Sequence, residues 1–219
     1  MTKTITVKGI GAAKVKPDYV KLTLSFGAIR KEYDKAIQAA AEKIERLQAA
    51  IIGIGYEKSD LKTMSFDVDA SYESVKDRNG RYNSVFVGYD CTYRLSLSFD
   101  FDNSSLSKAL NAISDCGANP ELSIAFTVKN PAQISEELLW SASLNAKKKA
   151  EILCAASGAT LGELLSIDYN WGEINVISKT RLLEERGMEL ASLPSGMPEI
   201  EPDDINASDT ATFVWEIKS

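Results

Sequence analysis

The sequence predicts an α+β fold, with an antiparallel sheet built on a long central hairpin and helices packed on one face. Three observations carry this expectation. Nearly every apolar run alternates with polar residues, the pattern of a sheet with one buried and one wet face. Two long alternating runs flank Asn79-Gly80, a pair suited to a tight hairpin turn. Residues 131–158 then read as one long helix with Asn130 as N-cap, Pro131 at the first helical position and Gly158 just past the end.

Taken in order, residues 4–9 form a short strand around Ile5 and Val7, and residues 9–17 read as a turn loosened by Gly9 and Gly11. Val20, Leu22, Leu24 and Phe26 alternate with Lys21, Thr23 and Ser25, giving a half-buried strand. Tyr33, Ile37, Ala40, Ile44, Leu47 and Ile51 follow at helical spacing, and Gly53 and Gly55 stop that helix. Met64, Phe66, Val68, Ala70 and Tyr72 share one face of the first hairpin strand, opposite Ser65, Asp67, Asp69 and Ser71. Its partner alternates from Val85 to Phe99, an unusually long run. A helix over residues 104–116 uses Leu106, Ala109, Leu110 and Ile113, and the strand Leu122, Ile124, Phe126, Val128 leads into the long helix. On that helix Ile134, Leu138, Leu139, Ala142, Ala146, Ala150, Leu153 and Ala156 make an apolar stripe so rich in alanine that whatever packs beneath it can come close. Leu165, Ile167, Tyr169 and Trp171 alternate as a further strand, and Ala211, Phe213, Trp215 and Ile217 as the last.

From Val20 the order is strand, helix, strand, strand, helix, strand, a ferredoxin-like βαββαβ core, followed by a helix and two strands. No linker composition precedes residue 179, so residues 1–219 are expected to form a single domain. Residues 179–206 carry prolines, glycines and acids and read as an irregular excursion, with one helical turn near Leu182.

A net charge of −6 argues against a nucleic-acid partner, which needs a basic footprint. No run reaches a membrane span of about twenty apolar residues. The opening MTKTITVKGIG shows no signal peptide as given, and three unpaired cysteines suit a reducing compartment. The expected location is therefore cytoplasmic, or periplasmic or envelope-associated if the start was trimmed.

Several segments, taken together, resemble the SIMPL-domain family, a widespread bacterial group of mostly unassigned function. ITVKGIGAAKVKPDYVKLTLSF is similar to its opening strand, paired glycines and Pro-Asp. DLKTMSFDVDASYE and VGYDCTYRLSLSF resemble its central hairpin. ISDCGANPELSIAFTV and ASLNAKKKAEILCAASGATLGELLSI resemble its Gly-Ala-Asn and helix-Leu-Gly blocks, so the likeness runs from about residue 4 to 172 with a final strand at 211–217. The resemblance implies an α+β fold and, for some members, large ring-like homo-oligomers; some members are linked to oxidative-stress tolerance and one animal member to kinase signalling. It implies no catalytic residues. Many members carry a secretion signal that the sequence as given lacks.

The chain has no histidine, which removes histidine-based nucleophile activation and histidine metal sites together. Asp67 and Asp69 share a strand face roughly 7 Å apart, and Asp100 and Asp102 repeat that spacing. Such oxygens suit a hard cation, but a solvated strand face is the plainer reading. Cys91 reads as a small hydrophobe in a strand. Cys154 points away from the stripe as a candidate thiol with only Lys147 nearby, and Cys116 completes an odd set without a CxxC pair. The two GIG segments and Ser195 match neither a phosphate loop nor a nucleophile elbow. Trp140 and Leu144 lie at i, i+4 opposite the stripe and are the candidate interaction surface, with the Ser/Thr-rich sheet face and the long hairpin edge as the other candidate contacts.

The expected function is a non-enzymatic module that forms a homo-oligomer or binds an unidentified protein partner, with no cofactor, catalytic residue or bound metal. A small-ligand domain using the polar sheet face or the 179–206 segment is the second reading, and a metal-dependent hydrolase on Asp67 and Asp69 a remote third.

Overall fold

A computed structural model describes residues 3–76, 80–169, 174–180 and 200–218. Its strands are β1 (Thr4–Val15), β2 (Tyr19–Arg30), β3 (Leu61–Lys76), β4 (Tyr82–Asp100), β5 (Glu121–Thr127), β6 (Thr160–Asp168) and β7 (Ile205–Lys218). Its helices are α1 (Tyr33–Gly53), α2 (Asn103–Asp115) and α3 (Pro131–Ala156). The fold is α+β, as the sequence predicts, but the strands divide between two sheets, ordered β3-β4-β2-β5 and β1-β7-β6. Two compact units result: Asp18–Phe126 with Thr180–Glu201, and Met1–Pro17 with Thr127–Lys179 and Pro202–Ser219. The expected helical turn near Leu182, together with Asn79, Trp171 and Ser195, lies outside the described residues.

In the first unit, β4 lies between β2 and β3, so the β2-α1-β3 crossover is split in the ferredoxin-like manner. The alternation of β2 sets its core: Val20, Leu22, Leu24 and Phe26 are buried, and Leu22 and Leu24 sit opposite Leu97 and Leu95 of the antiparallel β4. Leu47 and Ile51 of α1 and Leu106, Leu110 and Ile113 of α2 pack into that same cluster. Both helices thus cover one face, leaving Lys21, Thr23 and Ser25 on the other. Helix α2 starts where Asp102 accepts a 2.8 Å hydrogen bond from the Ser105 N–H. Hydrogen bonds from the Ser105 side chain and backbone hold the Asp102 carboxyl below its ordinary pKa. Asp102→Ala should cost about 1 kcal/mol in urea unfolding at neutral pH. Because the folded-state pKa is depressed, the cap's contribution is complete above about pH 4 and lost as pH falls through the lower folded value. A penalty for Asp102→Ala that persisted undiminished in strong acid would contradict this account.

The hairpin outgrows its sheet. β2 ends with Arg30 opposite Tyr89, whereas β3 and β4 stay paired from Tyr72–Phe86 out to Lys76–Tyr82. The register shifts between Ser71 and Tyr72, beside Gly88. A methyl group on Gly88 would lie 2.5 Å from the Arg30 carbonyl oxygen, so only glycine lets β4 pass the end of β2 there. Beyond it the hairpin is a two-stranded ribbon. Gly80, in the connection between β3 and β4, has φ +80°, a left-handed backbone that glycine adopts without strain.

The second unit corrects two readings of the sequence. Residues 9–17 are not a turn: β1 runs unbroken through Gly9 and Gly11 to Val15, antiparallel to β7. Its two glycines serve close approach. A methyl on Gly9 would overlap the Ala142 carbonyl oxygen and lie 2.9 Å from the Ala146 methyl; one on Gly11 would overlap the Leu138 carbonyl oxygen. Two strand residues rise about 6.6 Å and four helix residues about 6 Å, so each step of two along β1 meets the next turn of α3. At the same seam the Ile10 N–H donates to Asn145 Oδ1 (3.1 Å) and Lys149 Nζ donates to the Lys8 carbonyl (3.2 Å). Nor is the excursion irregular to residue 206: β7 begins at Ile205, and Ile205 and Ala207 are buried opposite Val15 and Ala13. The short alternation of Ile205 and Ala207, hidden among acids, becomes a strand because β1 offers a long partner.

Candidate interaction surface

Helix α3 begins as expected, with the Gln133 N–H donating to the Asn130 side chain (3.3 Å) and Pro131 in the first turn. Its buried line is Ile134, Leu138, Ala142, Ala146, Ala150 and Cys154. This is a strict i+4 row, and such a row is inclined to the helix axis rather than parallel to it. The stripe read from mixed +3 and +4 spacings therefore errs at its C-terminal end. Leu153 is 51% exposed and Ala156 is exposed, while Cys154, expected to point away, is buried. Opposite the middle of the buried row stand Trp140, 72% exposed, and Leu144, 56% exposed. Flanking them on the exposed side are Glu136, Glu137, Lys147 and Lys148.

A second apolar surface lies on the long hairpin, whose edge the sequence offers as a further candidate contact. On the ribbon beyond Gly88, Tyr72, Val75, Tyr82, Val85 and Phe86 are all exposed. Tyr72 and Phe86 meet edge to face at 5.6 Å, Phe86 meets Tyr89 at 5.4 Å, and Tyr89 meets Tyr33 at 5.5 Å, a chain of aromatic rings leading back to the start of α1. The available signal was length: β3 and β4 have 16 and 19 residues against 12 for β2, so their outer ends must outrun the neighbour.

The polar candidates are not gathered into a reactive centre. Asp67 and Asp69 are exposed on β3, opposite Thr92 and Asp90. Among the described residues no group of three or more Cys, Asp or Glu could hold a metal ion. Asp102 is committed to capping α2. Cys91 is buried, and burial followed by the neighbouring Asp90 charge raises its thiol pKa, away from the thiolate a reactive cysteine needs. Cys154 is buried as well, and Cys116 is half-buried with its Sγ directed at the Ile113 carbonyl (3.0 Å). Elsewhere the Tyr169 hydroxyl donates to Asp209 (2.8 Å), and that bond, before desolvation, raises the phenol pKa; the pair ties the end of β6 to β7. No described helix is long and apolar enough to cross a membrane.

What these residues define is an α+β protein with two exposed apolar surfaces, one on α3 and one on the hairpin. The chain belongs to the SIMPL family, described as a protein of unknown function (DUF541), which matches residues 5–215. It is 27% identical over 163 residues to the 26 kDa periplasmic immunogenic protein of Brucella abortus (strain S19), and 26% identical to the protein of the same name from Brucella melitensis biotype 1. Each match covers 74% of this chain and 65% of the relative. Among solved structures, an uncharacterized conserved protein from Listeria innocua aligns over 95% of this chain and 92% of its own at 11% identity and a TM-score of 0.20. The regulatory subunit of aspartate kinase from Thermus flavus aligns over 96% and 89% at 10% identity and a TM-score of 0.17.

Proposed function

We propose that the chain is a non-enzymatic interaction module of the cell envelope that associates with copies of itself. The observation that carries this reading is the ribbon. A two-stranded hairpin is marginally stable alone in water, and this one presents Tyr72, Val75, Tyr82, Val85 and Phe86 to solvent along strands with unpaired outer edges. Such a projection gains most when another chain covers it. The periplasmic names of the Brucella relatives support the location over the cytoplasmic expectation, and the burial of Cys91 and Cys154 removes much of the argument for a reducing compartment. The test is light scattering, at several concentrations, on protein released from its native host by osmotic shock. The expected mass is a discrete multiple of the subunit mass measured under denaturing conditions, reduced in the Tyr72→Glu, Phe86→Glu double variant. Recovery only from the cytoplasmic fraction would remove the location; a strict monomer at every concentration would remove the self-association.

A further inference from the structure

The exposed face of α3 is complementary to itself. At about 100° per residue, Glu136, Glu137, Trp140, Leu144, Lys147 and Lys148 fall within an arc of about 120° opposite the middle of the buried row. Between Glu136 and Lys148 acids occupy its N-terminal end, bases its C-terminal end, and the apolar pair its centre; Glu151 lies on the same face just beyond the bases. When two identical helices pack antiparallel about a twofold axis, residues equally spaced on either side of the axis come level, and each flank of one helix meets the same flank of the other. With the axis level with Ala142, midway between Trp140 and Leu144, Trp140 of one copy meets Leu144 of the other. In that register Glu136 faces Lys147 on one flank and Glu137 faces Lys148 on the other, within one residue of level, each contact occurring twice.

We propose that a second copy of this chain docks on α3 in this antiparallel register; the proposal rests on the self-association argued above and names one of its contacts. The alternatives are worse on the same residues. Parallel packing sets Glu136 and Glu137 against their own copies. Moving the axis to Leu144 sets Glu137 against Glu151 and Trp140 against Lys148, and moving it to Trp140 leaves both charge pairs unmatched. An apolar centre flanked by opposite charges matches a two-helix contact in which the centre gives affinity and the charges set direction and register. The contact runs about 18 Å along the helix, from Glu136 to Lys148 at 1.5 Å per residue.

The test is a charge exchange read by light scattering. Glu136→Lys, Glu137→Lys gives a copy with lysines at all four positions, and Lys147→Glu, Lys148→Glu gives one with glutamates at all four. Each variant alone is expected to show about a twofold or larger fall in mass at a concentration where the wild type is assembled, because like charges now face across the axis. Mixing the two in equal parts is expected to restore the wild-type mass, since every facing pair is again opposite. Variants that keep the wild-type mass, or a mixture that stays small, would overturn the α3 contact while leaving self-association through another surface standing. A monomeric wild type would overturn both. If a double variant loses its circular-dichroism signal, Glu137→Lys and Lys148→Glu replace the pairs, with the same restoration required.

Discussion

Gly11→Ala is expected to destabilise the protein by about 3 kcal/mol, at the upper end of the range for overpacking a close contact. The added methyl overlaps the Leu138 carbonyl oxygen, which belongs to the helix backbone and cannot rotate aside as a side chain would. Strand β1 must then withdraw from α3, and the withdrawal loosens Val7 against Ala146 and Ala150 on one side and Ala13 against Leu138 on the other. Urea unfolding followed by circular dichroism measures the loss, with Gly27→Ala as the reference. Gly27 also sits in a strand, but the nearest atom to its added methyl is Asp90 Oδ1 at 3.9 Å, an ordinary contact. Equal stability of the two alanine variants would show that the β1–α3 approach is not close enough to matter.

Phe26→Ala should cost about 3–5 kcal/mol, the range for emptying a large aromatic from a core. Phe26 is among the largest fully enclosed side chains of the central strand β2 and lies opposite Tyr93 of β4. Leu and Ile neighbours from β2, β4 and α1 surround it, and a close-packed wall of that kind relaxes only in part when a ring is removed. The internal comparison is Ile29→Ala on the same strand. Ile29 is exposed near the end of β2, so its truncation should change stability by about 0.5 kcal/mol or less. If the two truncations cost the same, the inward and outward assignment of β2 is wrong.

Much of the first unit could be read from period alone. Val20 to Phe26, the long hairpin and the helices carrying Leu47, Ile51, Leu106 and Leu110 have regular spacing, and regular spacing is what one-sided burial leaves in a sequence. The second unit was less legible because its packing depends on smallness. Gly9 and Gly11 carry the same letters whether a backbone bends or a helix presses against it, and only the alanines at 142 and 146 on a distant helix decide which. Ile205 falls inside the 179–206 excursion and Ala207 just past it, because the acids and prolines before them outweigh a two-residue alternation. At the candidate surface, Trp140 and Leu144 are legible in the sequence because a helix with its apolar stripe assigned leaves them over. The ribbon aromatics were assigned to a sheet face in the sequence, and that they stand beyond its end followed only from comparing strand lengths.

The pairing of β1 with β7 also sets an order of events as the protein is made. Val15 must wait for Ile205, about 190 residues later, which at 5–20 residues per second is a delay of about 10–40 s. During that interval β2, α1, β3, β4, α2 and β5 emerge and can close around Leu22, Leu24 and Phe26, while β1 has neither its helix nor its strand. A waiting strand with free edges invites the wrong neighbour. Gly9 and Gly11 make β1 a poor strand until α3 arrives, because glycine has little preference for extended pairing. The two residues that let the helix close on β1 at the end thus also keep it unattractive to other nascent chains in the meantime.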